Sequence, residues 1–348
     1  MTSDGRVLVQ LSTSRPGPVK PLHPRHGTHA PTTSTPARLP SSVRRTTSHD
    51  MRRRAGLQGD LVITGLARDL VTGPDRDGVE VDRARIDITI DFTGRRDVTA
   101  ITCEPPLEGA NAFNGVRAFS GFRRVLRETF PAEVERSSLT HRLLDDIPVA
   151  TLISGYTIMH DAPETLQMPP GGSAMGICAG WAEGATIAQD LEAQGMPPLT
   201  TGPEAPVLTD PSDPVSWHRM PALAPTDMRR QRRVDLTRDD AGDLVVDAMF
   251  RDTHMAENGF VSVIHEYTID ATVDAATMLI TSIDATPRAL PFVECPAAAL
   301  SATRLVGRRI GDLGTDVRDQ FTGISTCTHL NDALRAFDDV AALVHLLG

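Results

Sequence analysis

The chain repeats itself in order, and that constrains its fold more than any single motif. Asp50-Met51-Arg52-Arg53 returns as Asp227-Met228-Arg229-Arg230, and Gly59-Asp60-Leu61-Val62 as Gly242-Asp243-Leu244-Val245. The two stretches then stay in step without a gap: Arg68-Asp69 matches Arg251-Asp252, and Ile86-Asp87 matches Ile269-Asp270. Further on, Thr140-His141 matches Thr328-His329. One such match is chance; collinear matches at a nearly constant offset are a duplication.

Each copy reads as strands followed by helices. Ile86, Ile88, Ile90 and Phe92 alternate with Asp87, Thr89 and Asp91, and Val263, Tyr267, Ile269 and Val273 alternate with polar residues in the second copy. A period of two is that of an antiparallel strand buried on one side. Amphipathic helices are predicted at 115–130 and 138–153, then at 297–309 and 328–347. The expected fold class is therefore α+β: two duplicated units, each an antiparallel sheet followed by two helices, fused as a pseudo-dimer about an approximate two-fold axis. The expected domains are a disordered, basic, Pro-rich tail over 1–42, a degenerate first copy over 43–155 and a linker with one helix (173–194) over 156–216. The second copy spans 217–348.

Composition narrows the function classes. The net charge of −10 hides a basic start, and the body that follows is acidic, which argues against nucleic-acid binding. No apolar run reaches membrane-spanning length and no secretory leader is evident. Cys103, Cys178, Cys295 and Cys327 are widely spaced, which suits a reducing cytoplasm and not a disulfide framework. A small-molecule substrate is the expected partner, with a homo-oligomer also compatible.

The chemistry concentrates in the second copy. Cys327-Thr328-His329 stands where a helix begins. Two positions two apart inside a helix point about 200° away from each other, but at a helix entrance both side chains can turn the same way. A helix N-terminus also lowers the pKa of a nearby thiol. His265 lies on the apolar face of its strand and aims at that helix start, and Cys295 precedes Pro296 at the mouth of another helix. Two His and two Cys suit a tetrahedral zinc or similar divalent metal, so His265, Cys295, Cys327 and His329 are the expected ligands. Cys327 and His329 are also candidate catalytic groups, with Glu294 beside Cys295 as a general base. Taken singly, each of these residues is more often a packed core residue. By the repeat, the first copy has Asp82, Gly109, Leu139 and His141 at the four positions, so that half reads as scaffold or half-pocket. Glu266 and Asp270 fall on the opposite strand face, expected to meet solvent. Arg251-Asp252 reads as a structural salt bridge, and the run Arg229-Arg230-Gln231-Arg232-Arg233 as a solvated strand edge.

His265-Glu266, Pro291 to Cys295-Pro296, Arg304-Leu305-Val306-Gly307 and Cys327-Thr328-His329-Leu330 together resemble the signature of a bacterial family known only as domain of unknown function 2889. The resemblance spans most of residues 217–340, and the first copy looks like the long form of the same family. It implies little about activity beyond an association with catabolism of aromatic or acyl-CoA compounds. The leading expectation is a cytoplasmic, zinc-like metal-dependent hydrolase or lyase acting on a small apolar or aromatic acid, ester or acyl-CoA compound. The alternatives are a non-catalytic module with a structural metal or none, and a metal-free enzyme with Cys327 as nucleophile.

Overall fold

The structure is a computed structural model that describes residues 27–54, 56–57, 59–161, 175–194 and 200–347. Most of the basic tail (1–26) and the start of the helix expected at 173–194 lie outside the described residues.

Among the described residues the eight strands are β1 (Ser42–Arg53), β2 (Leu61–Thr72), β3 (Gly78–Ile90), β4 (Val98–Glu104), β5 (Met228–Arg238), β6 (Leu244–Met255), β7 (Val261–Val273) and β8 (Ile280–Ala289). They form one antiparallel sheet in the order β4-β3-β2-β1-β5-β6-β7-β8. The α+β class expected from the period-two strands is observed. Each half is a meander of consecutive hairpins, and the halves join where β1 pairs with β5. The register slips at the same place in both, after Asp69 in β2 and after Asp252 in β6. Arg45 stands opposite Asp69, and Arg230 opposite Asp252. Arg44-Arg45 is thus the counterpart of Arg229-Arg230, which corrects the matching of Asp50-Met51-Arg52-Arg53 to Asp227-Met228-Arg229-Arg230. Asp50 lies inside β1 opposite Arg229, whereas Asp227 precedes β5.

The helices cover one face. They are α1 (Phe122–Thr129), α2 (Pro131–Glu135), α3 (Leu139–Asp145), α4 (Ile147–Ile153), α5 (Gly155–Asp161), α6 (Thr186–Gln194), α7 (Leu313–Gln320), α8 (Thr328–Arg335) and α9 (Asp339–Leu343), with a 3-10 helix at Cys295–Leu305. Each half carries more and shorter helices than two. Pro148 and Pro296, for example, each sit at the start of a helical segment, where a missing N–H is tolerated. In the stretch predicted as one helix at 173–194, the described residues form a 3-10 turn (Ala179–Trp181) and α6.

Each half has its own apolar core between sheet and helices. One is built on residues such as Ile63, Ile86, Phe113, Phe122 and Leu143, the other on Phe250, Tyr267, Ile269, Leu330 and Phe337. Between them runs a polar seam. Arg45 makes a bidentate bond to Asp69 (2.8 and 2.8 Å), Arg142 pairs with Asp339 at 3.0 Å, and Arg232 pairs with Asp146 (2.9 Å) and Asp332 (2.7 Å). All are buried.

The other face of the sheet is covered too, by residues 27–40 and 200–220. Thr32 donates its amide to Glu266, Thr35 receives the Trp217 indole N–H, and His218 sits between the hydroxyls of Thr46 (2.9 Å) and Ser48 (2.8 Å). This overturns two expectations. Glu266 is fully buried on Arg251 at 2.6 Å and does not meet solvent, although Asp270 is exposed. The arginine run of β5 is central and not an edge, with β1 on one side and β6 on the other, and every buried guanidinium in it has an aspartate within 4 Å: Arg230 near Asp252, Arg232 on Asp146 and Asp332, Arg233 on Asp235 and Asp247.

Two outcomes follow from this packing. Asp69→Asn removes one of the two carboxylates on Arg45, which keeps Asp339 at 3.2 Å, so it is expected to lower unfolding free energy by about 1–3 kcal/mol in denaturant titration. Glu128→Gln, at the exposed Arg124–Glu128 pair, is expected to leave the midpoint unchanged. The second outcome concerns imidazoles. Burial, then nearby arginines, pushes His218 down to about 3 and His141 down to about 4. Both are neutral when folded, so the stability they contribute is present above the ordinary value of 6.5 and lost as pH falls toward those folded values. Proton NMR should find neither ring titrating between about pH 5 and 8; a midpoint near 6.5 for either would contradict the packing.

Candidate metal centre

β5, β6, β7 and the start of α8 converge on one carboxylate. Asp252 lies in β6 with Arg230 opposite it on β5 and His265 opposite it on β7, all on the helix-covered face. His329, in the first turn of α8, comes down on the same point. The two imidazoles stack with centroids 3.7 Å apart and planes 19° apart. Nδ1 of His265 is 3.2 Å and Nδ1 of His329 is 3.7 Å from Oδ2 of Asp252. One donor atom from each of the three residues lies within 4.8 Å of the others. The register slip that follows Asp252 leaves Ile264 as an extra residue in β7, and such a bulge re-aims the side chains beside it.

The protonation states of the donors suit metal ligation. Burial alone would raise the Asp252 pKa, but Arg230 first, then His265 and His329, hold it below the usual carboxylate value. Burial, with His265 beside it, drives His329 well below the ordinary imidazole range, against the pull of Asp252. At neutral pH the site therefore holds an ionised carboxylate and a neutral imidazole at His329, the forms a metal binds.

Around this point several buried polar atoms have no hydrogen-bond partner among the described residues. They are Nδ1 of His329, Oδ1 of Asp252 and all three side-chain nitrogens of Arg230. Arg230 is fully buried over the Phe250 ring (4.8 Å), with Asp252 at 3.6 Å and Asp332 at 3.9 Å. An unsatisfied buried polar group costs about 1–3 kcal/mol, and more when charged, so so many in one place require an explanation.

Of the four ligands expected from the sequence, the structure brings His265 and His329 together. Among the described residues, Cys295 and Cys327 join neither of the two three-donor groups, Asp252–His265–His329 and His160–Asp161–His254. They belong to the apolar core of the second half, close enough to each other, to Cys178 and to Tyr267 for their charges to interact. Cys327 is the N-cap of α8, yet burial pushes its thiol up to about 11, and the Leu330 and His329 amides offset this only in part. Burial likewise raises Cys295, whose sulfur packs so close to Gly180 that a Cβ there would stand 3.0 Å from it. Desolvation here outweighs the helix-terminus effect expected from the sequence. Glu294 is occupied at the start of α6, where it accepts from the amide and hydroxyl of Thr186 (both 2.9 Å).

Asp252 and Arg230 were read from the sequence as a structural ion pair and a strand edge. The usable signal was register: once β6 and β7 pair, Asp252 faces His265. The caps also refine the internal comparison. Ser138 and Cys327 hold the same N-cap position before α3 and α8, although of the two Ser138 alone accepts a capping hydrogen bond, so counting from the helix starts sets Ser138 and Thr140, not Leu139 and His141, beside Cys327 and His329.

The thiols generate a test. Cys327 is expected to react with iodoacetamide at pH 8 on the order of a hundredfold slower than a free thiol, reaching the normal rate only on unfolding. Fast labelling of Cys327 in the folded protein, read by peptide mass spectrometry, would overturn its assignment as a buried neutral thiol.

A family model described as "protein of unknown function (DUF2889)" matches residues 228–343, the stretch from β5 to α9 that carries this centre. No curated protein and no solved structure matches the chain.

Proposed function

Taking the DUF2889 match over residues 228–343 as premise, we propose that this protein is a metal-dependent hydrolase or lyase of the cytoplasm. Its substrate is a small apolar or aromatic acid, ester or acyl-CoA compound. Asp252, His265 and His329 hold a divalent transition metal, zinc foremost. The observation that carries the reading is the convergence of an ionised Asp252, a neutral His329 and a stacked His265 within 4.8 Å, beside a buried guanidinium with no hydrogen bond among the described residues. Two imidazoles and a carboxylate are a catalytic donor set: three protein ligands leave coordination positions for water or substrate. This set replaces the Cys-containing one expected from the sequence.

Bound there, the metal supplies Lewis acidity and lowers the pKa of bound water. The residues around it divide the remaining work. Arg230, with its Nε 3.6 Å from Oδ1 of Asp252, holds that carboxylate ionised, and its N–H groups suit an oxygen on which negative charge develops. The buried, neutral Cys327 weighs against the metal-free thiol mechanism. Four free thiols and the absence, among the described residues, of a helix long and apolar enough to cross a membrane are compatible with the cytoplasm.

The two halves are, in this proposal, copies of one sheet-plus-helix unit related by a pseudo-two-fold axis at the paired residues Thr47 and Arg232. The shared register slip and the reciprocal bridges Arg44–Asp235 and Arg229–Asp50 support it. Where the second half has Asp252, His265 and His329, the first has Asp69, Asp82 and Thr140, and Asp69 is already bound by Arg45. The first half is then the scaffold.

Plasma mass spectrometry of the purified full chain tests the centre. About one zinc or other transition metal per chain is expected, lost in His329→Gln and Asp252→Asn and retained in Cys327→Ala. A folded wild-type protein that takes up no metal, or a His329→Gln variant that keeps it, would sink the proposal.

A further inference from the structure

The groove between the two halves, on the outer side of α8, has a chemistry of its own. A cavity of about 390 Å³ opens between α1 of the first half and α7 and α8 of the second. Five guanidiniums line it (Arg123, Arg124, Arg127, Arg318 and Arg335) against one carboxylate, Asp332. Phe119, Val317 and Phe321 supply an apolar wall, and Thr328 and Asn331 supply polar groups. We propose that this groove binds a small organic anion, a carboxylate or phosphate head on an apolar body.

The charges within the groove are not equally committed. Asp332 is spent: its Oδ1 bonds Arg123 (2.5 Å) and its Oδ2 bonds Arg232 (2.7 Å). Arg335 is held by Asp145 at 3.0 Å. Among the described residues, Arg124 and Arg318 pair with solvent-exposed carboxylates, Glu128 and Asp319, and such exposed pairs are weak and exchange readily. Arg127 makes no ion pair among the described residues. Its pKa is lowered by partial burial and then by the positive charge of Arg318, against the pull of Asp145, with Arg335 and Arg123 adding to the lowering. An anion seated here would relieve that repulsion and gain charge-assisted hydrogen bonds. Two eight-residue helices also begin at the groove, α1 after Gly121 and α8 at Thr328, and their positive ends add to the same field.

Size and overall charge decide between kinds of anion. The volume is that of a small-molecule pocket. A polyanion would meet the field of a chain with net charge −10, whereas a small anion meets mainly the local arginines. Phe119 and Phe321 in the lining favour an apolar body over inorganic phosphate alone.

The proposal does not rest on the metal reading, and the test keeps the two apart. Calorimetric titration of the full chain, stripped of metal by chelation, compares benzoate, phenyl phosphate and the neutral benzyl alcohol. Binding of either anion, weakened by salt and absent for the alcohol, is expected; which anion binds tells carboxylate from phosphate. In an Arg127→Gln/Arg318→Gln variant, both exposed positions, affinity should fall by about tenfold or more at an unchanged melting temperature. A His329→Gln variant should bind as the wild type does. Equal binding of benzyl alcohol, no binding of either anion, or unchanged affinity in the double-arginine variant would overturn the proposal. Loss of binding in His329→Gln but not in the arginine variant would do so as well, by moving the anion to the metal centre.

Discussion

Burying arginine in the middle of a sheet is the constraint on which the rest of this structure depends. Taking an ion out of water costs several kcal/mol even after relaxation, and the cost is met only when a carboxylate is in place with good geometry. Along the seam between the halves the buried guanidiniums of Arg45 in β1, Arg232 in β5 and Arg142 in α3 are answered by Asp69, Asp339, Asp146 and Asp332. Three of those aspartates arrive on helices or helix junctions. The seam thus ties the helices of both halves to the joint between the halves. A slip of one residue in β1 against β5 would turn every side chain to the other face and strand each charge opposite apolar or like-charged neighbours. The seam sets register where apolar packing alone would be less selective.

The candidate metal centre is an outgrowth of the same lattice. Asp252 presents one oxygen toward Arg230, which lies between Asp252 and the seam residue Asp332, and presents the other oxygen to the two imidazoles. Its ionisation is therefore maintained from the seam side before any ligand arrives. His329 is kept neutral by burial and by the imidazole stacked on it. Acceptor and donor are prepared by opposite means, one by neighbouring charge and the other by desolvation.

The groove lined by Arg127 and Arg318 lies on the outer side of α8, the helix whose first turn carries His329. Asp332 belongs to both places, lining the groove and contacting Arg230. A substitution at Asp332 would disturb seam, groove and centre together, whereas Arg127 and Arg318 touch only the groove.

The amino-acid sequence by itself determined the elements and much of the plan. The period-two alternation from Ile86 to Phe92 and from Val263 to Val273 specified half-buried antiparallel strands, because one face of a strand sees a core whatever lies beyond it. The repeat implied two similar halves, and the position of His265 on an apolar face, with His329 at a helix start, brought those two residues under suspicion. Other matters were decided only by tertiary structure. Local composition made β5 look like a solvated edge, since nothing in the run itself names the distant aspartates that neutralise it. Cys327 looked activated because a helix terminus is legible in sequence, while burial, the stronger effect on its thiol, is not. Asp252 looked like a structural partner of Arg251, yet Arg251 bonds Glu266 on the opposite face, and pairing of β6 with β7 turns Asp252 to His265. Propensity and periodicity are properties of neighbours along the chain; which charge meets which, and how dry the meeting place is, depends on strand order and register.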